Sequence, residues 1–148
     1  MGSIEGVLLT PLRIIKGASG DVMHALKQQE DSFQGFGEAY FSTVQHLAIK
    51  GWKKHQQMIL NLIVPVGVIK FVLYDDRPES KSYRVLDEII LSVENYQRLT
   101  VPPGIWMCFQ GLDEKDNILL NIASIPHDPM EAESLPVQND AIPYKGFA

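Results

Sequence analysis

The chain has 148 residues, 45% hydrophobic and 21% charged, with a formal net charge of −5, which fits one globular domain able to bury its own core without staples and argues against nonspecific binding to nucleic acid or to an anionic membrane. The single cysteine, Cys108, leaves neither an intrachain disulfide nor a thiolate metal cluster. No apolar run approaches the roughly 20 residues of a membrane span, and no basic stretch followed by an apolar core opens the chain, so a soluble cytoplasmic protein is expected.

In chain order, short apolar strands are predicted at Val7 to Thr10 and Leu12 to Ile15, with Pro11 marking an edge or a junction. A loop over residues 17–21 leads to a short strand or helical turn at Val22 to Lys27. Residues 28–37, polar and punctuated by glycine, read as a surface loop long enough to cover an opening. Glu38 to Leu47 returns to aromatic and β-branched residues and is predicted as a strand. The stretch from Ile49 to Arg77 opens with the polar cluster Lys50, Lys53, Lys54 and His55. It continues into two apolar runs, Met58 to Val64 and Val68 to Tyr74, read as a hairpin around Pro65, Val66 and Gly67. Asp75, Asp76 and Arg77 then read as a strand-end ion pair opening a charged turn.

Further strands are predicted at Tyr83 to Leu91, Asn95 to Val101, Ile105 to Phe109 and Asn117 to Ile125, with turns at Pro102 to Gly104 and Leu112 to Asp116. From Pro126 onward an irregular tail is expected, with an Asx-type turn at Asp128 and at most one helical turn near Met130 to Ser134. Nowhere does a 3.6-residue period persist with caps at both ends. Eight to eleven short strands with frequent turns therefore predict a single all-β domain over residues 1–148, a sandwich or barrel. The open edges of its N-terminal strands favour a homodimer.

Within this frame the basic cluster stands at the start of the strand that should line the barrel. Side chains alternate along a strand, so Lys53 and His55 are expected on one face and Lys54 on the other. The lysines read either as phosphate contacts or as a solvated cluster, and His55 either as a ligand-site imidazole or as a satisfied rim histidine. Trp52 and Trp106 either stack a base or sugar or fill the core. Cys108, between Met107 and Phe109, reads as a small buried hydrophobe.

Three stretches carry a resemblance: KGW at residues 50–52, VGVIKFVLYDDRPESKSY from Val66, and VPPGIWMCFQ at residues 101–110. With them the chain resembles the cupin superfamily, and more closely the sugar-nucleotide epimerase family typified by dTDP-4-dehydrorhamnose 3,5-epimerase. The resemblance implies a double-stranded β-helix, or jelly-roll barrel, over roughly residues 5–135. It also implies a homodimer that exchanges N-terminal strands, and a role in epimerising or binding a nucleotide-linked 4-keto-deoxysugar in cell-surface polysaccharide or deoxysugar biosynthesis. The alternative is a sugar- or nucleotide-binding cupin without turnover, with a regulatory or assembly role.

The positions that hold metal in other cupins fall here on Lys53, His55, Leu60 and Met107, with the structural glycine at Gly67. One imidazole and a lysine cation do not make a divalent site, so neither metal nor other cofactor is expected. In the resembled epimerases a histidine takes the proton beside the ketone and a tyrosine returns one from the opposite face. The histidine's position falls on Lys53, and the tyrosine's on Asn121 or its neighbour Leu120. Asparagine has no proton to give, and lysine needs a strongly lowered pKa to act as a base, so His55 becomes the expected base, with Lys53 beside it. The resemblance also places Lys50 near a diphosphate and Tyr40 and Ser42 on the nucleotide-binding strand. The expected substrate-binding set is thus Lys50, Trp52, Tyr40, Ser42, Trp106 and Asn121, facing a nucleotide-linked sugar or other anionic small molecule.

Overall fold

The structure, a computed structural model, describes residues 3–147. Its strands are β1 (Leu8–Pro11), β2 (Ile14–Ile15), β3 (Val22–Met23), β4 (Glu38–Thr43), β5 (Ile49–His55), β6 (Leu60–Val66), β7 (Val68–Asp75), β8 (Leu86–Ser92), β9 (Gln97–Val101), β10 (Ile105–Gly111), β11 (Ile118–Ala123) and β12 (Ala132–Ser134). Two five-stranded sheets, ordered β1-β9-β6-β11-β4 and β12-β5-β10-β7-β8, face each other, and β2-β3 form a separate ribbon. Every strand pairing in them is antiparallel. This is the jelly-roll barrel that the resemblance implies, and among the described residues its only helix is a 3₁₀ turn at Pro129–Glu131.

The core between the sheets follows from period-two alternation. Leu62 and Val64 of β6, Ile69, Phe71 and Leu73 of β7, Leu99 and Val101 of β9, and Leu119 of β11 meet there. The other face of β7 is buried as well: Val72 and Tyr74 pack with Trp52, Trp106, Cys108 and Ile142 beneath Tyr144 and Phe147 of the C-terminal segment. Both faces being covered explains why β6 and β7 read as continuous apolar runs. Burial pushes the Cys108 thiol up to about 12, so Cys108 is the packed hydrophobe expected of it.

Four expectations are corrected. The runs on either side of Gly67 are not a hairpin: β6 pairs with β9 and β11, whereas β7 pairs with β8 and β10. The chain changes sheets at Gly67, giving each apolar strand a place inside its own sheet. The 28–37 segment does not line the cavity between the sheets; it is pinned against the outer face of the first sheet by the fully buried Arg98. That guanidinium donates to the Ala25 carbonyl, Glu30 and Ser32, each at 2.7 Å. The helical turn lies at Pro129–Glu131, capped by Asp128, and Ala132–Ser134 is strand. Finally, β8 starts only at Leu86, because Tyr83 and Arg84 form a turn in which Arg84 adopts φ +69°.

Gly67 has φ +83°, and a Cβ built on it would stand 2.3 Å from the Asp116 carbonyl oxygen and 2.5 Å from Asn117 Oδ1, the atom that accepts from Val68 N at 2.9 Å. Gly67→Ala is expected to cost about 1–3 kcal/mol, read by calorimetry as a drop of about 2–4 °C per kcal/mol. An unchanged melting temperature would contradict the tight sheet-to-sheet crossing.

Candidate active site

A cavity of about 220 Å³ opens between the sheets. The first sheet contributes Tyr40 and Ser42 from β4 and Asn121 from β11; the second contributes Lys50, Lys53 and His55 from β5. Leu60, Ile105, Met107 and Phe109 supply apolar walls. Six of the eight residues expected at a site are therefore brought together around one space.

Strict alternation would not put Lys50 and Lys53 on the same face. A bulge does: Met107 pairs with Lys53 and the adjacent Cys108 with Gly51, leaving Trp52 as the extra residue. Gly51 permits it, since it has φ +129° and a Cβ there would meet Cys108 Cα at 2.7 Å. Lys50 Nζ donates to the Thr43 carbonyl at 2.6 Å, which tethers β5 to the end of β4. Lys53 has no ion pair among the described residues.

Trp52 and Trp106 lie on the opposite face of the second sheet and do not line the cavity, which corrects their expected stacking role. They fill the outer core under the C-terminal segment: Trp52 Nε1 donates to the Val137 carbonyl at 3.1 Å and Trp106 Nε1 to Asp76 at 3.2 Å. Lys54 also points outward, where it pairs with Asp76 at 2.8 Å and Glu133 at 3.3 Å and sits over the Trp106 ring.

The residue that the sequence reading missed is Glu131. It ends the 3₁₀ turn, is almost fully buried, and its Oε1 lies 2.7 Å from His55 Nδ1. Its Oε2 accepts from Gln57 N and Met58 N, both at 2.8 Å. Burial opposes ionisation of this carboxyl, but the two backbone donors and His55 outweigh it and hold its pKa below the usual value. A carboxylate can only accept, so Nδ1 of His55 carries the proton and Nε2 is the nitrogen left for a ligand. Asp128 gave the local signal for a turn, but nothing in the order of residues announced that Glu131 returns to β5.

Across the cavity, Asn121 donates to Ser42 Oγ at 3.2 Å and pairs in register with Tyr40 on the next strand. Burial, followed by the nearby Glu38, pushes the Tyr40 hydroxyl pKa above its usual value, so it is protonated at neutral pH. Among the described residues no three His, Cys, Asp or Glu side chains gather to hold a metal ion. No helix there is long and apolar enough to cross a membrane.

No family model matches the chain. A probable low-salt glycan biosynthesis epimerase of Haloferax volcanii is 24% identical over 130 residues, covering 86% of this chain and 83% of that protein. The dTDP-4-dehydrorhamnose 3,5-epimerase of Bacillus anthracis shares the fold, with a TM-score of 0.83 at 16% identity over 97% of this chain and 89% of that one. A dTDP sugar isomerase of Desulfovibrio desulfuricans is much nearer, with a TM-score of 0.95 and 36% identity over 98% of this chain and 93% of that one. With the same barrel end to end and better than a third of its residues in common with that isomerase, the chain belongs to the dTDP-sugar isomerase family of cupin barrels.

Proposed function

We propose that the protein is an epimerase of a nucleotide-linked 4-keto-deoxysugar, working in the biosynthesis of a cell-surface polysaccharide or a deoxysugar. The observation that carries this reading is the His55–Glu131 pair: an imidazole oriented by an ionised buried carboxylate, with its other nitrogen available beside a cavity that also holds Lys53 and Lys50. Such an imidazole suits abstraction of the acidic hydrogen next to a ketone. The nearby lysine ammoniums suit the enolate oxygen that develops and the diphosphate of the substrate. No metal or other cofactor is required by this chemistry. The names of the relatives, a dTDP sugar isomerase and a glycan biosynthesis epimerase, support the same substrate class. We take the protein to work in the cytoplasm as a homodimer, a reading supported by the edge strand β4 with Phe41 69% exposed on it.

The test is solvent exchange. Incubated in D₂O with dTDP-4-keto-6-deoxyglucose, the wild-type protein is expected to place deuterium on a carbon adjacent to the ketone, seen by mass spectrometry and NMR. Binding of the nucleotide sugar with no deuterium uptake would favour the alternative, a binding cupin without turnover.

A further inference from the structure

Inversion at a carbon needs a proton delivered to the face opposite the one from which it was removed. The basic groups of the cavity, His55, Lys53 and Lys50, all come from β5 of the second sheet. The opposing wall is built by the first sheet, which contributes Tyr40, Ser42, Leu60, Val101 and Asn121. Of these only Tyr40 is titratable. The Asn121 amide cannot give up a proton and is already committed to Ser42 Oγ. Tyr40 and Asn121 are direct register partners on adjacent antiparallel strands, so their side chains leave the sheet on the same face, toward the cavity.

We propose that Tyr40 is the catalytic acid, donating its hydroxyl proton to the sugar carbon from the wall opposite His55. The acid is thus carried one strand over, on β4, beside Asn121, the position on which the tyrosine of the 3,5-epimerases falls by resemblance. The inference rests on the epimerase reading above.

The step balances within the site. His55 Nε2 takes the hydrogen as a proton, the C–H electron pair becomes the C=C bond of an enolate, and the ketone oxygen takes up the negative charge. As the carbonyl re-forms, the C=C pair takes the Tyr40 hydroxyl proton on the other face. The resulting tyrosinate recovers a proton from water, and the imidazolium gives its own to water. A protonated phenol suits the donor role, and burial holds Tyr40 in that state. Its side chain is also reachable, since Tyr40 remains 45% exposed, and for the same reason removal of one oxygen leaves the fold intact.

The experiment follows inversion and deuterium uptake separately for the wild type and Tyr40→Phe, with dTDP-4-keto-6-deoxyglucose in D₂O and with melting curves to verify the fold. In Tyr40→Phe, inversion is expected to fall by about 100-fold or more. Uptake with retained configuration, in which His55 returns a solvent-exchanged deuteron to the face it came from, is expected to continue. Inversion by Tyr40→Phe at close to the wild-type rate would overturn the proposal and leave the epimerase reading standing. So would loss of both signals from a folded variant, which would make Tyr40 a binding residue; wild-type uptake without any inversion would instead overturn the epimerase reading and this proposal with it. A wild type that shows neither uptake nor inversion would overturn the epimerase reading and this proposal with it.

Discussion

His55→Asn is expected to lower turnover of a dTDP-4-keto-deoxysugar by about 1,000-fold, within the range that a positioned general base supplies, while Lys54→Ala changes it by no more than several-fold. The contrast comes from geometry: His55 lines the cavity, whereas Lys54 leaves the opposite face of β5 for Asp76 and Glu133. Glu131→Gln is the informative companion. Its amide nitrogen can donate where the carboxylate only accepted, which would let His55 Nδ1 act as acceptor and shift the ring proton to Nε2, the position the base needs vacant. Its rate is therefore expected to fall well below wild type although the imidazole is still present. On the binding side, Lys53→Ala is expected to weaken the nucleotide sugar by about 1–3 kcal/mol, the loss of a charge-assisted hydrogen bond, and Lys54→Ala much less. Steady-state kinetics and calorimetry check all four variants. A Lys54→Ala defect larger than that of Lys53→Ala, or a His55→Asn enzyme at wild-type speed, would remove β5 from the chemistry.

The largest expected effect on stability is at Asp75, at the end of β7. Its fully buried carboxylate accepts from Arg77 N at 3.1 Å and Arg77 Nε at 2.8 Å, and from Ser80 and Ser82 hydroxyls at 2.7 and 2.6 Å. Burial alone would raise its pKa, but these donors, Arg77 foremost, lower it from 3.8 to about 2. A depressed folded-state value stabilises the fold at pH above the unfolded value and loses that stabilisation as pH falls toward the folded one. Asp75 therefore contributes about 2 kcal/mol at neutral pH, which disappears between about pH 4 and pH 2. Asp75→Asn, which leaves Arg77 without its counter-charge, is expected to cost about 3 kcal/mol at pH 7. In urea unfolding the gap between wild type and variant should narrow as pH drops from 4 to 2. A gap that is constant with pH would mean that Asp75 acts through shape alone.

What could be read from the residues and what could not divide along physical lines. Alternation and turn residues mark where strands begin and end, so most strands and the barrel class were legible, as was the opposition of Lys53 and His55 to Lys54 across β5. Pairing is a different matter, because a proline and a glycine between two apolar runs suit a hairpin and a sheet crossing equally well. Gly67 proved to be a crossing because Asp116 and Asn117 pack against it. Lys50 reaches the cavity face only through the bulge at Gly51, which is decided by the closeness of Cys108, whereas Trp52 keeps to the Lys54 face that alternation assigns it. Glu131 was invisible because a carboxylate in a polar tail looks like solvated charge until β12 brings the tail alongside β5.

That docking of the tail also sets an order in time. Glu131 lies 76 positions after His55, so a chain growing from its N-terminus makes every strand of the first sheet, and β5, β10, β7 and β8 of the second, before the orienting carboxylate is synthesised. Contacts of such sequence separation close late, because the loop entropy must be met first. At the elongation rates of roughly 5–20 residues per second, a nascent barrel spends seconds with His55 unoriented and the outer face of Trp52 and Val72 uncovered by Ile142. On the proposed mechanism, the docking of the tail that orients His55 is thus followed at once in the chain by the segment that covers Trp52 and Val72.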